Sequence, residues 1–193
     1  MKKLFRFIVV SGILAFLFYC GVVTIDPSKW ESAKDLLNEV KETVSQMIAD
    51  TKYNGPYEVE KVVDGDTIVI ALGVDSVKVR LIGVDTPESV SSDVTENCPE
   101  GFEASEFMKN LLAGKSVYLE YDEDMKDPYD RTLAYVYIKE NGKHVMVNRI
   151  LLEEGMACTM TIEPNTKYAD EFKAIEKNAK LKKIGFWDGY VFD

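Results

Sequence analysis

An α+β fold, mainly a five-stranded Greek-key β-barrel with three helices, is what the sequence predicts for residues 53–193. Three observations lead there. Short runs rich in Val and Ile are separated by turn signals such as Asp64-Gly65 and Asn141-Gly142, helical spacing of apolar residues appears only between and after those runs, and the order of elements matches a small closed barrel. An N-terminal membrane segment and an amphipathic helix precede this domain.

Taking the elements in order, Lys2, Lys3 and Arg6 stand before a nearly uninterrupted apolar run at 7–23. That run is long for a signal-peptide core and slightly short of the ~20 residues that span a bilayer. Residues 1–25 are therefore expected to address the chain to the membrane, as an uncleaved anchor or as a leader removed on secretion. No small-x-small cleavage site follows, and Leu17, Phe18 and Tyr19 before Cys20 are bulky, which favours the anchor. The positive flank places the remainder across the membrane, giving an extracytoplasmic location.

Asp26 and Pro27 read as an N-cap and first helical position, and Trp30, Ala33, Leu37, Val40, Val44 and Met47 follow at heptad spacing. Residues 26–52 are thus an amphipathic helical linker, open to use as a stalk, a membrane-surface helix, a spacer packed on the domain or a self-associating coiled coil. Asn54, Gly55 and Pro56 break the helix.

Strands are predicted at 57–63, 67–72 and 77–84, then a helix carrying Phe102, Phe107, Met108, Leu111 and Leu112. Strands at 116–121 and 132–138 follow, then helices at 147–152, stopped by Gly155, and at 168–181. Five strands and three helices in this order fit the OB architecture.

The formal charge of −10 lies in the domain: residues 53–193 hold 27 Asp+Glu against 16 Lys+Arg. A long electrostatic grip on nucleic acid calls for a basic stripe, so any phosphodiester substrate must be held locally, with divalent cations reversing the potential of a carboxylate-rich pocket. Cys98 and Cys158 are open to pairing in an oxidising compartment or to remaining buried thiols.

Carboxylates gather at two strand ends, Asp64-Gly65-Asp66-Thr67 and Asp85-Thr86-Pro87-Glu88. Hard cations take several oxygen ligands, which makes Asp66 and Asp85 the natural pair, and Glu88 stands where a carboxylate can orient water. Arg80 and Arg131 offer forked contacts to phosphate. Strand alternation gives Arg80 and Asp85 opposite parity, which a bend at Gly83 would relieve. His144, just past the Asn141-Gly142 turn, reads as an exposed loop residue. Tyr118, Tyr121, Tyr135 and Tyr137 read as core and barrel wall.

From about residue 57 to 187 the sequence resembles the staphylococcal nuclease family. The resemblance rests on Val63-Asp64-Gly65-Asp66-Thr67, the run 80–88, Pro99-Glu100-Gly101-Phe102-Glu103-Ala104-Ser105, and Asp127-Pro128-Tyr129-Asp130-Arg131-Thr132. Val147-Asn148, Glu154-Gly155-Met156-Ala157 and Gly185-Phe186-Trp187 complete the collinear set. The resemblance implies a calcium (Ca2+) site formed by Asp66, Asp85 and the carbonyl of Thr86, Glu88 as general base, and Arg80 and Arg131 as phosphate-binding catalytic residues. It also implies that Tyr129 packs beside the bound nucleotide and that DNA and RNA are cut at the 5'-oxygen to phosphorus bond, leaving 3'-phosphates. Two departures stand out. Pro128 and Asp130 replace a lysine and a glycine, stiffening the loop, and the segment 158–164 lacks a pair of tyrosines that line the nucleotide pocket. The competing reading is a noncatalytic OB module, tethered to the membrane, that binds nucleic acid or protein. Retention of Glu88 with both arginines argues for the enzyme.

Overall fold

Alternating Val and Ile in the first half of the domain form three antiparallel strands in the computed structural model of the protein: β1 (Asn54–Asp64), β2 (Thr67–Leu72) and β3 (Asp75–Leu81). The structure describes residues 52–89 and 98–189, together with Asp35, Asn38, Val40 and Lys41, which are helical and exposed. The chain divides into two units, Met1–Asp50 and Thr51–Asp193. The apolar run at 7–23 and most of the linker helix lie outside the described residues.

The expected strand at 77–84 is two. β3 ends at Leu81, and after Ile82 a short β4 (Gly83–Asp85) leaves the barrel to pair with β8 (Cys158–Met160). Gly83 makes the break: its φ is 78°, and a Cβ there would lie 2.8 Å from the ring of Phe172. The sequence reads through because Leu81, Ile82 and Val84 are all apolar and all buried.

After α1 (Pro99–Leu112), β5 (Ser116–Glu120) pairs with β1 and with β6 (Thr132–Glu140). A parallel pairing of β3 with β6, through Val79 with Thr132 and Arg80 with Leu133, closes the five-stranded barrel. Asn141 (φ 49°) and Gly142 (φ 78°) supply the left-handed turn that joins β6 to β7 (Lys143–Met146), a strand that the residue pattern alone does not reveal. His144 is consequently a half-buried β7 residue, its ring 4.2 Å from that of Tyr53 and 4.7 Å from that of Tyr118, not an exposed loop side chain.

Ile68, Ile70, Val79, Leu119, Val136 and Ile138 fill the barrel, capped by Met108 of α1 and by Leu151 and Leu152 of α2 (Val147–Glu153). Asn148, fully buried, accepts the Val136 N–H at 2.9 Å and donates to the Ile82 carbonyl at 2.8 Å. It satisfies one backbone group on β6 and one where β3 gives way to β4, and so ties the turn that leads to Asp85 to the barrel. Phe172 on α3 (Ala169–Lys182) packs against the same turn.

Opposite elements meet at Glu120, only 2% exposed. Its carboxylate accepts from Tyr137 Oη (2.5 Å), Lys167 Nζ (2.5 Å) and Tyr168 Oη (3.0 Å), and pairs with Lys52 Nζ at 3.0 Å. Burial raises the Glu120 pKa, but these partners outweigh it, led by Lys167 and Tyr137, and hold it below the usual 4.5. A carboxyl depressed on folding adds stability that is present above its unfolded pKa and is lost as pH falls through the lower folded value. Glu120→Gln is expected to cost about 2 kcal/mol at neutral pH, given partly exposed lysine partners. The gap from wild type should close as pH falls from the ordinary carboxylate range through the lowered pKa of the native glutamate. Denaturant unfolding of both proteins across that range checks this, and a gap independent of pH would contradict it.

Candidate active site

Arg80 leaves β3 on the face opposite the buried Val79 and Leu81, and the break at Gly83 brings Asp85 back beneath it. Its guanidinium donates from Nη1 to the Val84 carbonyl (3.0 Å) and from Nη2 to Asp85 Oδ1 (2.7 Å), and Nη1 forms an ion pair with Asp66 Oδ2 at 2.5 Å. The parity conflict is thus resolved by the bend. Asp66, 6% exposed, also accepts from the Thr86 N–H at 3.0 Å and the Thr67 hydroxyl at 3.0 Å. Burial raises the Asp66 pKa and Asp85 adds to the effect, while Arg80 and the Thr86 N–H oppose it.

Asp64 belongs to the same cluster, although its sequence context marks it only as part of a turn. It is buried and accepts from the Ser89 hydroxyl (2.7 Å) and the Gly65 N–H (2.9 Å). The signal in the sequence is the repetition of Asp in Asp64-Gly65-Asp66, of which the motif chemistry assigns a role only to the second residue. Glu88 is exposed, yet its carboxyl is pushed up to about 7 by partial withdrawal from water, by a hydrogen bond and charge from Asp64, and by the charges of Asp66 and Asp85. Its carbonyl is held from the other side by the Cys98 N–H at 3.1 Å. The first turn of α1 packs so closely there that a Cβ on Gly101 would lie 2.1 Å from the Glu88 oxygen. Cys98 and Cys158 are free, half-buried thiols.

Calcium would meet hard oxygen donors here, the Asp66 and Asp85 carboxylates and the Thr86 carbonyl, within a surplus of negative charge over the single Arg80. The Thr86 hydroxyl is buried with no hydrogen-bond partner among the described residues, an orphan polar atom beside those donors. Chemically the set fits a hard cation that completes its shell with water. Among the described residues no three acidic, His or Cys side chains close into a ready-made ligand cluster, and Arg80 bridges the two carboxylates instead.

The parallel seam of β3 and β6 brings the second arginine to the first. Arg131, just before Thr132, donates from its backbone N–H to Asp127 Oδ1 (2.9 Å) and from Nε to Asp127 Oδ2 (2.5 Å). Asp127 Oδ1 also accepts the Tyr129 N–H, so one carboxylate shapes the loop and fixes the guanidinium. Burial works against the Asp127 charge, but Arg131 and these backbone donors hold its pKa down. Asp130 adopts φ 62°, the left-handed conformation that favours glycine and that Asp tolerates. Tyr129 is 81% exposed, with the Arg131 guanidinium 5.5 Å from its ring centre.

Arg80, Arg131 and Tyr129 border a cavity of ≈ 370 Å³ whose apolar lining includes Leu81, Val84, Leu133, Met160, Ile162 and Pro164. Met160 and Ile162 supply aliphatic surface in the segment that lacks the tyrosine pair. Beyond Tyr129, a wider groove of ≈ 600 Å³ is bordered by Lys78, Glu88, Tyr129, Asp130 and Arg131. The fold therefore brings the three expected metal ligands together with Arg80, and places Glu88, Arg131 and Tyr129 along one continuous concave face.

The staphylococcal nuclease homologue family model matches residues 78–189. Over 132 residues the chain is 42% identical to the thermonuclease of Staphylococcus intermedius, an alignment covering 68% of this chain and 76% of that protein. The thermonuclease of Staphylococcus hyicus is 43% identical over 131 residues, 68% of this chain and 75% of the relative. Endonuclease YncB of Bacillus subtilis (strain 168) is 40% identical over 136 residues, 68% of this chain and 62% of its own length.

Proposed function

This chain belongs to the staphylococcal nuclease family and is a nuclease; from that premise we propose that it is a calcium-dependent phosphodiesterase of DNA and RNA that acts outside the cytoplasm. The observation that carries the reading is the convergence of Arg80 and Arg131 on one cavity, with Glu88 beside Arg131 and with Asp66 and Asp85 beneath Arg80. The extracytoplasmic location rests on the positively flanked apolar run within residues 1–25.

Asp66, Asp85 and the Thr86 carbonyl would hold the calcium ion, whose chemistry when bound is to polarise a phosphoryl oxygen. Arg80, which borders the same cavity, would donate to a phosphate oxygen of the bound substrate. Arg131, already oriented by Asp127, presents its terminal nitrogens to the same phosphate, and the two guanidiniums stabilise the charge that develops there. Glu88 takes a proton from the attacking water as its oxygen bonds to phosphorus. The bond to the 5'-oxygen breaks, that oxygen takes a proton from solvent as Glu88 returns its own to solvent, and a 3'-phosphate remains.

End-group analysis of products from a labelled single-stranded oligonucleotide tests this reading. Fragments carrying 3'-phosphate and 5'-hydroxyl ends are expected. Fragments carrying 5'-phosphate and 3'-hydroxyl ends would place the broken bond on the other side of phosphorus and overturn the proposed geometry.

A further inference from the structure

Lys78 stands two residues before Arg80 on β3, so strand alternation puts both side chains on the face away from the buried Val79. Lys78 borders the ≈ 600 Å³ groove with Glu88 and Arg131. The other cations of this region are engaged: Arg80 with Asp66 and Asp85, Arg131 with Asp127, Lys126 with Asp130 at 3.0 Å. Among the described residues Lys78 has no ion pair. In a domain with a large acidic excess, a lysine at a concave surface that already meets Arg131 and Glu88 has an open place for an anion. Of the acidic residues bordering the groove, the Asp130 carboxylate is already paired with Lys126.

We infer that the groove bordered by Lys78 is a second phosphate subsite, which binds the phosphate next to the one being cleaved on a single-stranded polynucleotide. The inference rests on the nuclease reading of the neighbouring site. It gives the concave face two anion positions along one strand path, with Arg80 and Arg131 at the scissile phosphate and Lys78 at its neighbour on the Glu88 side of Tyr129. The enzyme then favours chains over single-phosphate fragments, despite an acidic surface that provides no broad electrostatic grip.

The test measures binding of a fluorescent single-stranded DNA tetranucleotide and of a dinucleotide with one phosphate, by anisotropy with calcium present. Full-length Glu88→Gln protein is used to prevent turnover, with Lys78 native or changed to Ala, Glu or Arg. Lys78→Ala is expected to weaken the tetranucleotide about fivefold relative to the dinucleotide. It should also make the logarithmic salt dependence shallower by about 0.7, the slope that one neutralised phosphate contributes on a single strand. Lys78→Glu should weaken binding further, and Lys78→Arg should restore the preference. An unchanged ratio of the two affinities in both Ala and Glu variants would overturn the subsite. Hydrolysis by the otherwise native enzyme is assayed in parallel, which separates the two readings. Normal cleavage with no Lys78 effect removes the subsite alone, and a Lys78-dependent preference without cleavage removes the nuclease mechanism alone.

Discussion

Glu88→Gln lowers the turnover of single-stranded DNA by about 10²- to 10⁴-fold, the range for removal of a general base, while calcium and nucleotide binding persist. Glutamine keeps the volume and an acceptor oxygen but cannot take the proton from water. The side chain is exposed, and its backbone is held independently by Cys98 and by the close approach of Gly101, so the change should leave the fold intact. Steady-state kinetics together with calcium and nucleotide affinities would check the separation of kcat from binding. Turnover at the wild-type rate would remove Glu88 from the mechanism.

For Asp66 the expected loss lies in the metal. Asp66→Ala removes a buried carboxylate of the proposed cation site, and calcium affinity is expected to fall by more than the roughly 10- to 100-fold that follows loss of a supporting partner to a metal ligand. The same carboxylate forms an ion pair with Arg80 and accepts from the Thr86 N–H and the Thr67 hydroxyl, so alanine also leaves a buried charge and buried donors unpaired. Asp66→Asn keeps an acceptor oxygen for those donors and loses the charge. It should preserve the unfolding midpoint better than alanine while still binding calcium poorly. Calcium titration by calorimetry on both folded variants distinguishes ligand loss from structural loss. Native affinity in the Asn variant would contradict the assignment.

Much of this arrangement is legible in the sequence because it depends on local chemistry. Val and Ile runs set the barrel strands, and the Asn141-Gly142 pair sets a left-handed turn. The proposed metal-binding carboxylates Asp66 and Asp85, both arginines and Glu88 lie in short motifs whose residue types suggest the chemistry proposed for them, whereas the Thr86 carbonyl follows from the family resemblance. The features that escape such a reading depend on residues distant in sequence. The end of β3 is concealed in a buried apolar run and is decided by Phe172 lying against Gly83. The Glu120 cluster joins residues 52, 120, 137, 167 and 168, which no spacing rule connects. Asp64 passes as a turn residue because its partner, Ser89, is 25 positions away. His144 looks like loop because β7 is only four residues long and its aromatic neighbours Tyr53 and Tyr118 come from other parts of the chain.

The central claim is that this carboxylate and arginine set performs calcium-dependent phosphodiester hydrolysis. Its most direct test is cleavage of single-stranded DNA by the full-length protein with calcium, with chelator, and with calcium restored after chelation. The account predicts cleavage with calcium, its loss on chelation and its return on restoration. Equal cleavage with and without calcium, or a folded protein that binds calcium and cuts nothing, would contradict it.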